Sequence, residues 1–167
     1  MEYSLYKPYV GPVKPVDESS GIKGKYCSAP FGVFLAYPKG LRILAIQCEM
    51  DVNAHVFTPP PKGTSNDSPE KLKWLAARMH LSAADTMVHQ CISHFLYTHA
   101  VIEPFGVSLQ RYLSSGHPVH RIMYSHMRCM IQLNALARVT LINPTGVIPD
   151  ILSIGPNSNE FMISRYQ

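Results

Sequence analysis

The amino-acid sequence predicts a mainly α-helical protein with a short β-hairpin near the N-terminus. Segment 87–105 is mostly apolar or small apart from its histidines and has no glycine or proline before Pro104, which favours one helix buried in the core. Residues 29–37 and 41–48 are aromatic and β-branched runs on either side of a Pro-Lys-Gly sequence, a pattern typical of a hairpin.

The chain before the histidine segment divides into four parts. Residues 1–28 contain proline, glycine, tyrosine and lysine without periodicity, so we expect an extended or irregular lead-in to the hairpin at 29–48. Residues 58–68 predict a loop that cannot be helical. Ser68 and Pro69 then suit the cap and the first position of a helix, which we expect to break near residues 81–82. Its predicted apolar face consists of Leu72, Leu75, Ala76 and Met79.

The second half of the sequence is predicted to be helical as far as residue 142. Pro104 should kink or end the histidine helix, because proline lacks a backbone donor and its ring clashes with the preceding turn. Residues 105–114 and 118–142 continue as helices, which completes a helical core at 69–142. An Asn-Pro-Thr-Gly sequence then stops the pattern, and the tail at 147–167 has one more helix-like stretch.

Composition narrows the class of protein. The chain has 167 residues, 46% of them hydrophobic and 16% charged, which is typical of one globular domain. The net charge of +4 is spread out, so nothing argues for nucleic acid as a partner. No segment is long and apolar enough for a transmembrane helix or a signal core, and we expect a cytoplasmic protein. Its four cysteines lack metal-site spacing and are expected to be free, mostly buried thiols.

The spacing of three histidines is the most informative local pattern. His89, His94 and His99 recur every fifth residue, and residues five apart in an α-helix are turned by ~500°, roughly 140° off one face. Two such imidazoles meet only if the helix widens into a π-turn, which is rare and tends to occur at functional sites. The spacing leaves two interpretations open: metal ligands, or core histidines hydrogen-bonded to carbonyl groups.

The residues around these histidines carry a family resemblance. The pattern H-Q-x3-H-x-L-x-T-H-x3-E-P-F at 89–105 resembles the iron-binding helix of the lipoxygenases, which oxygenate polyunsaturated fatty acids. Ordered blocks extend the resemblance over about residues 28 to 160. Upstream these are A-I-Q at 45–47, F-T-P at 57–59 and W-L-x-x-R-M at 74–79, and downstream H-P at 117–118, H-x-R at 126–128 and N-A-L-A-R at 134–138. The resemblance implies that residues 1–167 are a partial catalytic domain of the lipoxygenase-type helical bundle.

The resemblance implies one non-haem iron per active site, with dioxygen and a polyunsaturated fatty acid as substrates. His94 and His99 match the iron ligands on this helix, and Gln90 matches a glutamine that links the ligands to the substrate cavity by hydrogen bonds. His89 is expected to pack or cap instead. Neutral imidazoles suit iron, and apolar walls control its potential and the access of water. The alternative is that the two histidines keep their positions and hold no metal.

Four residues match positions that line the substrate channel in the family, namely Phe95, Ala137, Leu141 and Ile148. Ala137 falls where a small residue governs which face of the pentadiene oxygen reaches, and alanine implies S-hydroperoxide products. Each of the four is equally compatible with ordinary core packing. Polar residues at other matching positions are interpreted as structural contacts, because buried charges persist only when paired. These are Glu103, Arg111, His117, His126, Arg128 and Arg138.

The sequence also departs from the family pattern. A third histidine ligand, an asparagine or histidine ligand and a terminal isoleucine carboxylate would all lie beyond residue 167, and Gln167 differs from that isoleucine in type. Tyr97, Gly116 and Ser125 replace residues usual in the family. With much of the bundle missing, we expect a large exposed apolar helix face, available to a partner chain.

Three hypotheses therefore follow from the sequence. The first is a lipoxygenase that dioxygenates fatty acids with iron. The second is a truncated, non-catalytic relative that binds fatty acid or a partner subunit through the exposed helix face. The third is a small two-histidine protein that holds zinc or copper with help from Cys91 or His89. The fatty acid preferred, the carbon oxygenated and the oligomeric state do not follow from the sequence.

Overall fold

The predicted fold class is confirmed by the computed structural model, which describes residues 8–13 and 24–166 and is mainly α-helical there. Two short strands, β1 (Gly11–Val13) and β2 (Lys25–Cys27), form an antiparallel pair. The extended part of the lead-in predicted at 1–28 is thus paired into strands where this region is described, and its remainder lies outside the described residues. Strand pairing depends on a partner distant in sequence, so local composition does not reveal it.

The hairpin is present as predicted. Strands β3 (Phe31–Tyr37) and β4 (Gly40–Gln47) pair antiparallel, and β5 (Val56–Phe57) adds to the far edge of β4. Gly40 adopts a φ of +126° directly after the two turn residues, a conformation that side chains disfavour. Ile46 of β4 is fully buried and packs against the helix that follows the loop at 58–68, so the sheet fixes the position of that helix.

Helix α1 (Pro69–Val88) begins where the sequence predicts it. The Ser68 hydroxyl accepts a hydrogen bond from the Lys71 backbone N–H, and Pro69 occupies the first turn. The break predicted at 81–82 is wrong, because this region is one uninterrupted helix. The sequence there is Leu-Ser-Ala-Ala, without a helix breaker, and Leu81 is buried against the sheet.

The buried face of α1 also differs from the predicted one. Its buried residues are Ala77, Leu81, Ala84 and Met87. The predicted face lies on the opposite side of the helix, and all four of its members are exposed, three of them large side chains. These are Leu72, Leu75 and Met79, at 53%, 48% and 63%. Both faces are apolar at helical spacing, and the position of the sheet and tail decides which one is buried.

The histidine segment forms a π-helix that continues directly from α1. It runs from His89 to Ala100, and the Val101 N–H donates to the Leu96 carbonyl at 2.9 Å, five residues back. A widening over 12 residues is longer than the single turn that the spacing requires. Cys91, Ile92 and Leu96 are buried whereas the opposite face is exposed, so the helix enters the core on one face only.

Three helices follow the π-helix. Helix α2 (Glu103–Tyr112) has Pro104 in its first turn, so this proline marks a helix boundary as predicted. The single helix predicted at 118–142 is wrong: α3 (Pro118–His126) and α4 (Met130–Thr140) are separated by Cys129 with a φ of +62°. A non-glycine residue in this left-handed conformation is uncommon, so the sequence does not signal the break.

The tail folds into three short helices rather than the one predicted. These are helix α5 (Val147–Ile151), a 3₁₀ turn (Gly155–Asn157) and helix α6 (Ser158–Ile163), of which α6 packs against the π-helix. The main core joins the buried face of the π-helix to tail residues, with Phe161 and Ile154 fully enclosed. None of the helices in the described ranges is long and apolar enough to cross a membrane.

Candidate functional site

The three histidines line one side of the π-helix. The ring centroids of His94 and His99 are 5.1 Å apart with the rings edge to face, and those of His89 and His94 are 6.0 Å apart and nearly parallel. The prediction that a widened helix brings imidazoles five residues apart together is confirmed. The π-helix thus presents two adjacent imidazoles, which is the arrangement that two ligands from one helix require.

His99 is held by a residue from another helix. Its Nδ1 lies 2.9 Å from Oδ1 of Asn134, which is on α4 and only 1% exposed. The Asn134 amide nitrogen donates to the His99 carbonyl at 3.1 Å and to Oε2 of Glu103 at 2.8 Å. Glu103 also forms an ion pair with Arg138. The expectation that Glu103 and Arg138 make structural polar contacts is confirmed.

These contacts determine the protonation pattern of the His99 ring. Since the Asn134 amide nitrogen faces two acceptors, its oxygen is the atom that faces His99. The His99 Nδ1 must then carry the proton and donate it to that oxygen. The lone pair of the neutral ring is therefore on Nε2. Histidine ligands in metal sites usually have this arrangement, with the other ring nitrogen bonded to a carbonyl or carboxylate oxygen.

His94 is held by a weaker, local contact. Its Nδ1 lies 3.0 Å from Oε1 of Gln90, four residues earlier on the same helix. His94 is exposed, and Gln90 makes no second side-chain hydrogen bond among the described residues that would fix which end of its amide faces the ring. Gln90 thus contacts one of the two predicted ligands, and the direction of this hydrogen bond depends on the His94 tautomer. The predicted link from Gln90 to a substrate cavity stays a prediction.

The donor set fits iron in type but not in number. Neutral imidazoles suit iron, and the lone pair that Asn134 leaves on the His99 Nε2 is available to a metal. Within the described ranges, no group of three or more histidine, cysteine or acidic side chains is arranged to hold a metal ion. Two imidazoles are fewer ligands than a stable site needs. His94 and His99 therefore stay predictions as iron ligands.

Cys91 is unsuited to complete the pair. It lies in the core at 1% exposure, and burial raises the pKa of its thiol to about 12. Among the described residues, Cys91 and the imidazoles do not form a group of three side chains that could hold one metal ion. His89 is exposed, and its backbone N–H closes the last turn of α1. The hypothesis of a zinc or copper protein assisted by Cys91 or His89 finds no support in this geometry.

The predicted channel residues do not all line one cavity. Phe95 stacks on the His99 ring at 5.9 Å between centroids and lines a cavity of about 340 Å³ between the π-helix and the tail. Ala137 is buried in α4, and the Leu141 carbonyl accepts a hydrogen bond from the Ile148 N–H at 2.9 Å. The other residues that line the cavity are Leu96, Ala100, Ile142, Asn159, Met162, Ile163 and Tyr166.

Sequence reasoning did not single out Asn134 or the tail residues of this cavity. Asn134 and Arg138 are four apart, so they lie on one side of α4, and this spacing is the available signal. The sequence does not indicate that Glu103 meets them, because it is more than thirty residues away. His117 caps α3 by accepting a hydrogen bond from the Val119 N–H, in agreement with the structural role predicted for it.

Comparisons with known proteins agree with the resemblance. The lipoxygenase family model matches residues 4–167. The chain is 34% identical over 173 residues to "Probable lipoxygenase 6" of Oryza sativa subsp. japonica, covering 99% of this chain and 18% of that protein. It is 40% identical over 123 residues to "Probable linoleate 9S-lipoxygenase 3" of Solanum tuberosum, covering 69% of this chain and 14% of that protein. The crystal structure of coral 8R-lipoxygenase matches with a TM-score of 0.72 and 26% identity, over 92% of this chain and 22% of that chain.

Proposed function

This chain belongs to the lipoxygenase family, and we propose that the site on its π-helix serves the dioxygenation of polyunsaturated fatty acids to hydroperoxides by non-haem iron. The adjacent imidazoles of His94 and His99 are the observation that carries the proposal. The chain spans 18% of the length of its rice relative, so the activity is proposed for the site to which this segment contributes.

His94 and His99 would hold the iron through Nε2, since each Nδ1 is engaged in a hydrogen bond. When bound, iron supplies the redox chemistry for removing a hydrogen from between two double bonds. Gln90 orients the His94 ring, and the Phe95 ring shields the face of His99. The exclusion of water by apolar side chains strengthens the electrostatic interactions around the metal.

The substrate proposal rests on Phe95, which packs on the His99 ring, and on the family resemblance that assigns Ala137, Leu141 and Ile148 to the substrate channel. A fatty acid chain would pass these positions in a channel of which this segment supplies only one part, with dioxygen reaching one face of the pentadiene beside Ala137. The name of the potato relative specifies linoleate, which is in the same substrate class. A cytoplasmic location stays part of the proposal, although relatives from Tanacetum cinerariifolium and Hordeum vulgare are chloroplastic by name.

A second candidate function is non-catalytic binding of a fatty acid or a partner chain. The exposed apolar face of α1 favours it, because Leu72, Leu75 and Met79 are each about half exposed or more. Contiguous apolar surface of this kind marks interaction sites. The two candidates differ in whether the histidine pair takes up metal.

The experiment that tests the proposal is the iron stoichiometry of the purified 167-residue chain after anaerobic loading with Fe²⁺. Because two imidazoles hold a metal only weakly, we expect iron to approach one per chain only at saturating Fe²⁺, and to stay at background in His99→Ala. The control is His126→Ala, which removes an exposed imidazole from α3 and should leave the stoichiometry unchanged. Background iron in the unsubstituted chain would contradict the iron proposal and favour non-catalytic binding. Equal iron in His99→Ala would place the metal elsewhere.

A further inference from the structure

Asn134 is the most buried polar side chain near the histidine pair. It is 1% exposed, and both ends of its amide are used: the oxygen accepts from His99, and the nitrogen donates to the His99 carbonyl and to Glu103. A buried amide with all these partners has one orientation, since turning it over would place its oxygen against two acceptor oxygens.

The carboxylate of Glu103 is what selects this orientation. It accepts from the Asn134 nitrogen at 2.8 Å and is itself paired with Arg138, one turn further along α4. An ionised carboxylate has acceptors only, so the group facing it must be the nitrogen of the amide. A chain of polar contacts therefore leads from Arg138 through Glu103 and Asn134 to the His99 ring.

We propose that Asn134 is a positioning residue that fixes His99 as the Nδ1–H tautomer, with Glu103 and Arg138 setting the direction of its amide. This inference rests on the proposed function, because its consequence is an Nε2 lone pair aimed at the metal. Asn134 acts through His99 and does not itself contact the metal. His94 lacks an equivalent, since its partner Gln90 is on the same helix and has no contact that orients it among the described residues.

The Asn134 nitrogen also bonds the His99 carbonyl near the end of the π-helix, so loss of stability alone does not test the proposal. The required readout is the protonation of the His99 ring nitrogens. Nitrogen-15 NMR of the metal-free chain at pH 8 reports it directly, with the His99 signals assigned by their absence in His99→Ala. We expect the Nδ1–H tautomer in the unsubstituted chain, and an Nε2–H tautomer there would overturn the proposal without any variant.

Two variants separate positioning from a purely structural role. Asn134→Ala removes the acceptor and should release His99 from the Nδ1–H tautomer. The double variant Asn134→Asp with Glu103→Gln exchanges amide and carboxylate, so an acceptor still faces His99 Nδ1, and the Nδ1 proton should be retained. The control is Gln132→Ala, an exposed residue on the same helix. Retention of Nδ1–H in Asn134→Ala would overturn the proposal.

Metal affinity provides the second readout. Titration of the metal-free chains with Fe²⁺ should show binding weakened 10–100-fold in Asn134→Ala and unchanged in Gln132→Ala. Unchanged Fe²⁺ affinity in Asn134→Ala would overturn the inference and leave the proposed function standing. A chain that shows the Nδ1–H tautomer but takes up no Fe²⁺ would support the role of Asn134 and contradict the proposed function.

Discussion

The two ends of the π-helix hold their histidines in different ways. At the N-terminal end, the His94 ring meets a glutamine one turn away on the same helix and is exposed to solvent. At the C-terminal end, His99 is half buried, stacks on Phe95 and bonds a buried asparagine 35 residues further along the chain. One histidine is oriented by local contacts and the other by tertiary structure.

The difference shows what a widened helix contributes to a site and what the surrounding helices must add. The π-helix supplies the spacing for both rings, but spacing alone leaves each ring free to rotate and to choose its tautomer. Packing of α2 and α4 against the C-terminal end removes this freedom for His99. The N-terminal end is anchored through its buried face instead, where Cys91 and Ile92 enter the core. Substitutions that weaken the packing at one end of the π-helix should therefore affect the histidine at that end more than the other histidine.

The largest effect is expected from Asn134→Ala. It leaves the Glu103 carboxylate and the His99 carbonyl without their amide donor in a buried setting, which should lower the free energy of unfolding by roughly 3 kcal/mol. Urea unfolding followed by circular dichroism measures it. The matched control Gln132→Ala should change stability by less than ~0.5 kcal/mol. Equal losses of stability in Asn134→Ala and Gln132→Ala would show that Asn134 does not hold the C-terminal end of the π-helix.

A smaller effect is expected from Gly106→Val, which tests whether close packing of α2 on α4 holds the His99 end. A Cβ at Gly106 would overlap the terminal methyl of Met130, so the flexible end of that side chain must move. We expect a loss of about 1 kcal/mol, together with altered NMR signals of His99 and unaltered signals of His94. Gly116→Val is the control, since nothing lies within 4 Å of its Cβ position. Changes at His94 as large as those at His99 would contradict the comparison.

The burial of Cys91, which holds the N-terminal end of the π-helix in the core, can be tested through the pH dependence of the free energy of unfolding. The pKa of the buried Cys91 thiol is raised from 9.0 to about 12, so above pH 9 the unfolded chain loses this proton while the folded chain keeps it. The unfolded state then binds fewer protons, and the free energy of unfolding should fall by ~1.4 kcal/mol per pH unit between 9 and about 12. Urea unfolding at pH 8, 9 and 10 measures this slope.

The slope should be shallower in Cys91→Ala and unchanged in Cys129→Ala, which alters an exposed thiol. Burial also raises the pKa of Cys27, and that contribution is common to all three chains. If the slope in Cys91→Ala were as steep as in the unsubstituted chain, groups other than the Cys91 thiol would cause the loss of stability.

The smallest effect is expected from Gln90→Ala. It removes one side-chain contact between residues four apart on an exposed helical surface, worth ~0.2–0.5 kcal/mol. Stability should change within that range, while the NMR signals of His94 shift and those of His99 do not. A loss approaching that of Asn134→Ala would show that Gln90 has a structural partner beyond His94.

Local residue patterns were sufficient for several parts of this structure. The cap at Ser68, the hairpin about Gly40 and the boundary at Pro104 each depend on residues within one or two turns, and all three are present. The five-residue spacing of the histidines likewise indicated that only a widened helix could bring the rings together, because an α-helix would turn them apart.

The sequence by itself thus determined the hairpin, the cap and boundary of two helices, the family, and a histidine spacing that pairs two imidazoles once the helix widens. Only the tertiary structure decided which apolar face of α1 is buried, where Cys129 interrupts the helices, and that Asn134 and Glu103 orient His99. Propensity, capping and spacing act over a few residues and can be read in the chain. Burial and the direction of a buried hydrogen bond depend on groups more than thirty residues apart, which meet only after the helices pack.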